Sequence, residues 1–332
     1  MRTFLIIALV AVASIAAWTA WAVWAPVTPQ GQKFVLLRPG YSTRRIATEL
    51  KSAGVIRSTN AFVLWHYLHH GRSLKAGEYL FEKPASAREI YVRLARGDIY
   101  VHTVVIPEGY TLFDIAQAIQ DAGLGSGEDF IRVATSETNL ISDMAPGANS
   151  LEGYLFPATY EFTRTESLQE MAAAMVKRFR SVAHEIGLNS DVQRTVTMAS
   201  IIEKETAVAD ERPLVASVYY NRLEKGIALQ ADPSVIYAEL LKGDYGGSLH
   251  HADLDVESAY NTYRHPGLPP GPIANPGKSS LEAAMHPAVT DYFYFVSDGN
   301  GHHRFAESLE EHNRNVAKLR RTIREKNAAL IR

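Results

Sequence analysis

The pattern of apolar residues divides the chain into a hydrophobic N-terminal run and a longer amphipathic part. Residues 3–25 carry no charge. As a helix rising 1.5 Å per residue, such a run is long enough to cross a hydrocarbon layer roughly 30 Å thick. Arg2 precedes the run, and Trp18, Trp21 and Trp24 gather at its far end as an interfacial belt would. The pattern predicts a transmembrane anchor that starts in the cytoplasm.

A cleaved signal peptide is the alternative reading of this run. A signal peptide would have a shorter apolar region, and a small-residue cleavage site followed by a polar stretch is not evident before Pro26. Under either reading the rest of the chain works beyond the cytoplasmic membrane. We therefore expect a single-pass protein of the inner (cytoplasmic) membrane, with its main domain on the periplasmic or extracytoplasmic side.

The remaining residues alternate between helical and strand-like patterns. Apolar positions at helical spacing predict helices at 87–96, 166–187, 191–208, 211–226, 235–241 and 312–328. Alternating or aromatic runs predict strands at 74–81 and 291–297, and the proline-rich stretch 248–276 predicts a long loop. This mixture predicts an α+β fold.

An internal repeat follows a short polar linker at residues 26–33. Residues 39–54 return in altered form as residues 108–123, and each copy follows a strand-like run, 34–37 or 101–106. A glycine turn and a Ser/Thr cap then predict a short helix that ends at Ala-Gly. The shared residues are Gly40, Tyr41, Ile46, Ala47, Ala53 and Gly54 in the first copy and Gly109, Tyr110, Ile115, Ala116, Ala122 and Gly123 in the second.

This strand, Gly-Tyr-Ser/Thr turn and helix resemble the LysM module, which binds glycans. A common βα unit with no binding role is the alternative for each copy. The predicted organisation is an anchor at 1–25, a linker at 26–33, a small LysM-like α+β subdomain at 34–104 and a mixed α+β catalytic domain at 105–332. The second copy, 107–124, could pack with either domain.

Glu203 occupies an unusual position in the helix predicted at 191–208. At 100° per residue, Val192, Val196 and Ala199 fall within about 60° of one another, and Glu203 lies in the middle of that stripe. A carboxylate there is costly unless it is paired, protonated or facing a cleft. The alternatives are a general acid or a buried glutamate neutralised by Arg194, Arg212 or Arg222. Glu205 points away from the stripe and is expected on a solvated face.

Composition excludes several classes of function. The 332 residues carry a net charge of −2, so the chain lacks the basic field that holds nucleic acid. It contains no cysteine, which excludes disulfides and thiolate chemistry. The adjacent histidines at 69–70, 250–251 and 302–303 do not have the spacing of metal ligands. We expect no metal and no other cofactor.

Several motifs in one order resemble the endolytic murein transglycosylases, the MltG or YceG-like family. The match runs from about residue 34 to residue 319. The motifs are ASIIEKET at 199–206, ERPLVASVYYNRL at 211–223, LQADPSVIY at 229–237, EGYLFPATY at 152–160, YNTY at 260–263, GLPPGPIANP at 267–276, FYFV at 293–296 and GHHRFA at 301–306.

The resemblance implies an activity and a catalytic residue. Members of this family are lyases that cleave the MurNAc–GlcNAc bond of nascent glycan strands and close a 1,6-anhydroMurNAc ring, which ends strand elongation. The first glutamate of the EKET motif, Glu203 here, would first act as the acid and then as the base. One carboxyl group with an elevated pKa is enough, because the C6 hydroxyl replaces water as the nucleophile.

Further residues of the motifs are candidates for substrate binding. Gln230, Asp232 and Asn275 could hold sugar hydroxyl or N-acetyl groups, whereas Asp232 before a proline is also a helix-start signal. Tyr154, Tyr220, Tyr237 and Tyr263 could stack on sugar rings, although tyrosines in such patterns often belong to the core. The expected partners are peptidoglycan strands, the membrane through residues 3–25, and peptidoglycan synthases. The rival hypothesis is a non-catalytic, membrane-tethered peptidoglycan-binding scaffold.

Overall fold

A computed structural model describes residues 1–69 and 71–330. His70, a member of one predicted histidine pair, and residues 331–332 of the predicted catalytic domain lie outside the described residues. The fold is a mixed α+β arrangement, as predicted. Its contacts divide it into two units. The first comprises Met1–Thr103, Ala122–Leu124 and Glu161–Ser167, and the second comprises Val104–Asp121, Gly125–Tyr160 and Leu168–Arg332.

The first unit contains the hydrophobic N-terminal helix and a small α+β core. Its elements are α1 (Arg2–Trp24), β1 (Lys33–Leu37), α2 (Thr43–Ser52), α3 (Thr59–Leu68), β2 (Gly77–Phe81) and α4 (Ala87–Arg96). β1 and β2 pair antiparallel, with Val35 opposite Tyr79. The core fills with apolar side chains from both strands and from α2, α3 and α4, including Leu37, Leu50 and Leu94.

Within the described residues, α1 is the one helix that is long and apolar enough to cross a membrane. Most of its side chains are exposed, and the three tryptophans remain about half exposed at its C-terminal end. Ala22 and Val23 are buried against Ala61 of α3. Exposed apolar side chains along such a length fit a bilayer better than water.

The second unit is mostly helical. Its elements are α5 (Leu112–Asp121), α6 (Gly127–Ser136), α7 (Leu168–Glu185), α8 (Val192–Glu205), α9 (Arg212–Glu224), α10 (Asp232–Lys242), α11 (Lys278–Met285), β5 (Tyr294–Ser297), β6 (His303–Ala306) and α12 (Leu309–Leu330). Two further strands, β3 (His102–Ile106) and β4 (Ala158–Phe162), pair with each other.

The repeat prediction is confirmed for the local structure of each copy. Gly40 and Gly109 adopt φ values of +82° and +78°. Gly54 and Gly123, which follow the ends of helices α2 and α5, have φ values of +74° and +68°. These left-handed conformations favour glycine, which explains the repeated residue type. However, β1 pairs with β2 and β3 pairs with β4. The LysM-like subdomain is not confirmed, and the domain boundaries stay a prediction.

Candidate active site

Glu203 lies near the C-terminal end of α8, and only 6% of its side chain is exposed. Val192, Val196 and Ala199 of the same helix are buried, in agreement with the predicted stripe. α8 packs against α9, α10 and α11. The carboxylate is therefore enclosed by protein, where an unpaired charge would be costly.

Both carboxylate oxygens of Glu203 accept hydrogen bonds. Nη2 of Arg212 donates to Oε1 over 2.9 Å, and the backbone N–H of Gly277 donates to Oε2 over 2.9 Å. The sequence left Arg194, Arg212 and Arg222 open as the neutralising partner. Arg212, whose side chain is 8% exposed, is that partner.

A second carboxyl group, that of Glu108, lies beside this ion pair. Its Oε2 is 3.6 Å from the same Nη2 of Arg212, and its side chain is 50% exposed. A Cβ atom on Gly277 would overlap the Glu108 carboxyl, so the absence of a side chain there lets Glu108 approach. Burial and the neighbouring Glu203 carboxylate raise the pKa of Glu108, and Arg212 opposes that shift. Two carboxyl groups thus share one guanidinium.

The turn that carries Glu108 is held in place by two other segments. Nζ of Lys204 donates to the Gly109 carbonyl over 3.2 Å. The Gly109 N–H donates to the Asn275 carbonyl over 2.9 Å, and the Asn275 N–H donates to the Tyr110 carbonyl over 2.8 Å. These bonds fix the second Gly-Tyr turn against α8 and against the segment that leads to Gly277.

Asn275, predicted to hold the substrate, is fully buried. Its Nδ2 donates to the Tyr110 carbonyl over 2.9 Å and to Oε1 of Glu152 over 2.7 Å. Its Oδ1 accepts from the Leu155 N–H over 2.9 Å. The whole amide is engaged by protein, so in this structure Asn275 supports the Glu108 turn. A contact with sugar stays a prediction.

Glu152, the carboxyl partner of Asn275, is itself buried. Besides the Asn275 bond, its Oε2 accepts from the Leu112 N–H over 2.9 Å, and the Tyr237 hydroxyl also hydrogen-bonds its carboxyl. Burial raises the pKa of Glu152 to about 8, despite the opposing effect of the Leu112 N–H. Burial disfavours the ionised form of this carboxyl, and among the described residues no cation pairs with it.

Three of the predicted binding residues come together at a second location. The Tyr263 hydroxyl donates to Oδ1 of Asp232 over 2.6 Å. The Gln230 N–H donates to the Thr262 carbonyl over 3.2 Å, and Gln230 itself has a φ of +50°, which is rare for a residue other than glycine. Gln230 and Asp232 are exposed, so all three polar side chains could meet a ligand.

The expectation that Glu205 lies on a solvated face is wrong. Its Oε1 accepts a 2.5 Å hydrogen bond from the Tyr219 hydroxyl, and burial raises the pKa of Glu205 to about 7. Asp232 adds to the shift, whereas His303 and Arg222 oppose it. Helical phase shows only which side of α8 a residue occupies. The covering of that side by α9 is a tertiary feature.

The other predicted aromatic residues each contact a different partner. Tyr154 is fully buried and meets Phe179 edge to face, with 5.2 Å between ring centroids. The Tyr220 hydroxyl donates to the Ala284 carbonyl over 2.9 Å. Tyr237 is buried beside Glu152. None of the seven predicted binding residues hydrogen-bonds Glu203 within the described part of the chain.

An open cavity of about 490 Å³ lies at the opposite end of α8 from Glu203. Its lining comes from the start of α8, with Gln193 and Thr197, and from the loop around Pro269. Its lining includes neither Glu203 nor any of the predicted binding residues, so its size alone does not make it the active site.

The histidines of the GHHRFA motif bind a carboxylate instead of forming a metal cluster. Nδ1 of His303 lies 2.7 Å from Oε2 of Glu211, and Nδ1 of His302 lies 3.1 Å from its Oε1. Among the described residues there is no group of three metal-binding side chains. These contacts fix the β5–β6 hairpin to the residue before Arg212.

Sequence reasoning missed Glu108, Lys204 and Gly277 as parts of the site. A signal for Glu108 was present, because the second repeat copy has an acid where the first has Pro39. Gly277 and Lys204 gave no such signal, since the backbone N–H of one and the reach of the other matter only after folding.

The sequence of the chain is similar to a known family and to named members of it. The model of the YceG-like family matches residues 35–318. A protein of Bacillus subtilis strain 168 named endolytic murein transglycosylase is 38% identical over 295 residues, covering 83% of this chain and 81% of that protein. The protein of the same name from Streptococcus pneumoniae strain D39 is 33% identical over 330 residues, but the match spans 88% of this chain and 59% of that longer protein.

A solved structure shows the same fold. The 2.6 Å crystal structure of a YceG-like protein from Listeria monocytogenes aligns with a TM-score of 0.57 and 34% sequence identity. The alignment covers 86% of this chain and 99% of the other.

Proposed function

Because the chain belongs to the YceG-like family, we propose that it is an endolytic peptidoglycan lytic transglycosylase. It cleaves the MurNAc–GlcNAc bond within glycan strands and leaves a 1,6-anhydroMurNAc end. The observation that carries this proposal is the enclosed Glu203 carboxyl, with one cationic partner and one backbone N–H on its two oxygens.

Glu203 is the catalytic acid and base of the proposed reaction. In the first step a proton passes to the glycosidic oxygen, and the C1–O bond breaks with its electron pair going to that oxygen. In the second step the C6 hydroxyl bonds to C1, and its proton passes to the carboxylate. Protons are conserved over the two steps and no water is consumed, so a single carboxyl can serve both.

Arg212 and Gly277 prepare Glu203 for the second step. Their N–H groups stabilise the ionised carboxylate after it has lost its proton. An isolated buried carboxylate would instead be too costly to form.

We assign two kinds of supporting role to the other predicted residues. Gln230, Asp232 and Tyr263 present exposed or partly exposed polar groups and are the better candidates for sugar contacts. Tyr220 is a further candidate, since it is partly buried. Asn275, Tyr154 and Tyr237 support the site from the core.

The location of the reaction follows from the proposed anchor. α1 holds the chain in the cytoplasmic membrane, with the catalytic unit on the periplasmic or extracytoplasmic side, where peptidoglycan lies. An internal cut there would end the elongation of a nascent strand. Peptidoglycan synthases, which make those strands, are the proposed protein partners.

Product analysis tests this function. Purified sacculi are treated with the detergent-solubilised full chain, and the released fragments are analysed by mass spectrometry. The proposal expects internal cuts that end in 1,6-anhydroMurNAc. Reducing ends without the anhydro ring would indicate hydrolysis, and binding without any cleavage would indicate the scaffold hypothesis.

A further inference from the structure

If Arg212, Glu203 and Glu108 are all ionised, these three groups carry a net negative charge. Arg212 is the cation that contacts both carboxyl groups, at 2.9 Å from Glu203 and 3.6 Å from Glu108. One proton held by one of the two carboxyls would neutralise the cluster. Carboxyl groups that face one cation often share a proton, because their two negative charges repel each other.

Geometry indicates which carboxyl carries the proton. Both oxygens of Glu203 already accept hydrogen bonds from N–H groups, an arrangement that suits an ionised carboxylate. Glu108 has a longer contact with Arg212 and is half exposed. We propose that Glu108 is a positioning residue that holds a proton for Glu203 and so keeps the site ready for acid catalysis at neutral pH.

The other charged groups around Glu108 do not replace this role. Lys204 of α8 uses its Nζ on the Gly109 carbonyl, and Lys278 at the start of α11 pairs with Glu185 over 2.6 Å. The raised pKa of Glu108, caused by burial and by Glu203, agrees with the assignment. Arg212 is thus the cation that the two carboxyl groups share.

The inference rests on the proposed transglycosylase function and completes its proton balance. Glu203 takes up the proton that Glu108 holds and delivers it to the glycosidic oxygen as the C1–O bond breaks. Glu108 and Glu203 are then both ionised, with Arg212 as their shared cation. When O6 bonds to C1, the proton of the C6 hydroxyl returns to the pair and restores the starting state.

The test is the pH profile of a Glu108→Gln variant of the full chain in detergent. At about pH 8 the variant lacks a resting proton, and we expect kcat to fall at least about tenfold, with KM within about twofold of wild type. At about pH 5 solvent supplies the proton, and the two rates should approach each other. The ratio of wild-type to variant rate therefore rises with pH.

A matched control is Glu224→Gln, which removes an exposed carboxyl from α9, the helix that carries Arg212. It should follow the wild-type profile. If Glu108→Gln also follows the wild-type profile, or loses the same factor at every pH, the inference is wrong. The second outcome would indicate a structural role for Glu108.

A Gly277→Ala variant tests the same inference without removing a charge. The Gly277 φ of −75° suits alanine, and the N–H that binds Glu203 is kept, but the new Cβ displaces the Glu108 carboxyl. We expect a smaller loss in kcat with the same dependence on pH. A loss that is independent of pH would contradict the inference.

The two proposals can fail separately. If the wild-type chain produces no anhydro ends, the proposed function fails, whatever Glu108 does. If wild type produces them and the Glu108→Gln profile is unchanged, only the role of Glu108 is overturned.

Discussion

Arg212 donates a 2.9 Å hydrogen bond to Glu203, and each side chain is less than a tenth exposed. The partners come from consecutive helices, α8 and α9, and the bond fixes the orientation of the carboxylate. Arg212 also faces Glu108, so its loss should affect both carboxyl groups.

An Arg212→Met variant should be markedly destabilised. It leaves the buried Glu203 carboxylate without its cation, which costs about 3–5 kcal/mol in comparable buried pairs. The free energy of unfolding, measured with denaturant, checks this. The double variant Arg212→Met/Glu203→Gln should recover part of the loss, because no buried charge remains. Equal destabilisation of the single and double variants would show that the ion pair is not the cause.

The buried Glu152 carboxyl should make stability depend on pH. Its pKa is raised from 4.5 to about 8, so it stabilises the fold fully below about pH 4.5. The contribution then falls as pH rises towards 8, by up to about 1.4 kcal/mol per pH unit. A Glu152→Gln variant should lack this slope. Denaturant unfolding at several pH values checks it, and parallel curves for the two chains would contradict the assignment.

Asn275 provides a direct test of structural against substrate-binding roles. An Asn275→Ala change removes three hydrogen bonds from a buried amide, and each group left unpaired costs about 1–3 kcal/mol. We expect a lower melting temperature and a lower kcat, because the Glu108 turn loses its support. A raised KM with unchanged melting would instead favour sugar binding.

The Tyr263 hydroxyl, unlike the Asn275 amide, should contribute little to stability. Tyr263→Phe removes the hydroxyl that binds the exposed Asp232, so stability should change by no more than about 0.5 kcal/mol. If this pair contacts the glycan, KM should rise severalfold. Tyr154→Phe is the matched control, since the Tyr154 hydroxyl has no hydrogen-bond partner among the described residues. An unchanged KM for Tyr263→Phe would remove this residue from the binding surface.

The topology can be tested because the native chain has no cysteine. A single cysteine introduced by Asp121→Cys should react with a membrane-impermeant maleimide in spheroplasts. One introduced by Arg2→Cys should react only after the membrane is opened. The reverse pattern, or release of the chain by alkaline carbonate, would contradict the proposed single-pass anchor.

Local signals in the sequence predicted several elements closely. The helix predicted at 87–96 is α4, because Ser86 and Glu89 form a reciprocal cap and Gly97 ends the helix in a left-handed conformation. In contrast, α3, α6 and α11 were missed. α3 is apolar on most of its surface, which hides the helical period, and α11 follows a proline-rich loop.

The candidate site was only partly predictable from the sequence, because segments that are distant along the chain form it. Helical phase selected Glu203, and the motifs added a chemistry to it. The neighbours that define its state come from three distant segments, through Glu108, Arg212 and Gly277. Such approaches depend on packing between helices, about which a single sequence carries little information.

A Glu203→Gln variant tests whether Glu203 performs both the acid step and the base step. The variant keeps the size of the side chain but cannot transfer a proton. We measure the rate at which 1,6-anhydroMurNAc ends appear from purified sacculi, and a melting curve verifies that the variant is folded. We expect this rate to fall at least about 100-fold relative to wild type. A folded variant that forms these ends as fast as wild type would contradict this role of Glu203.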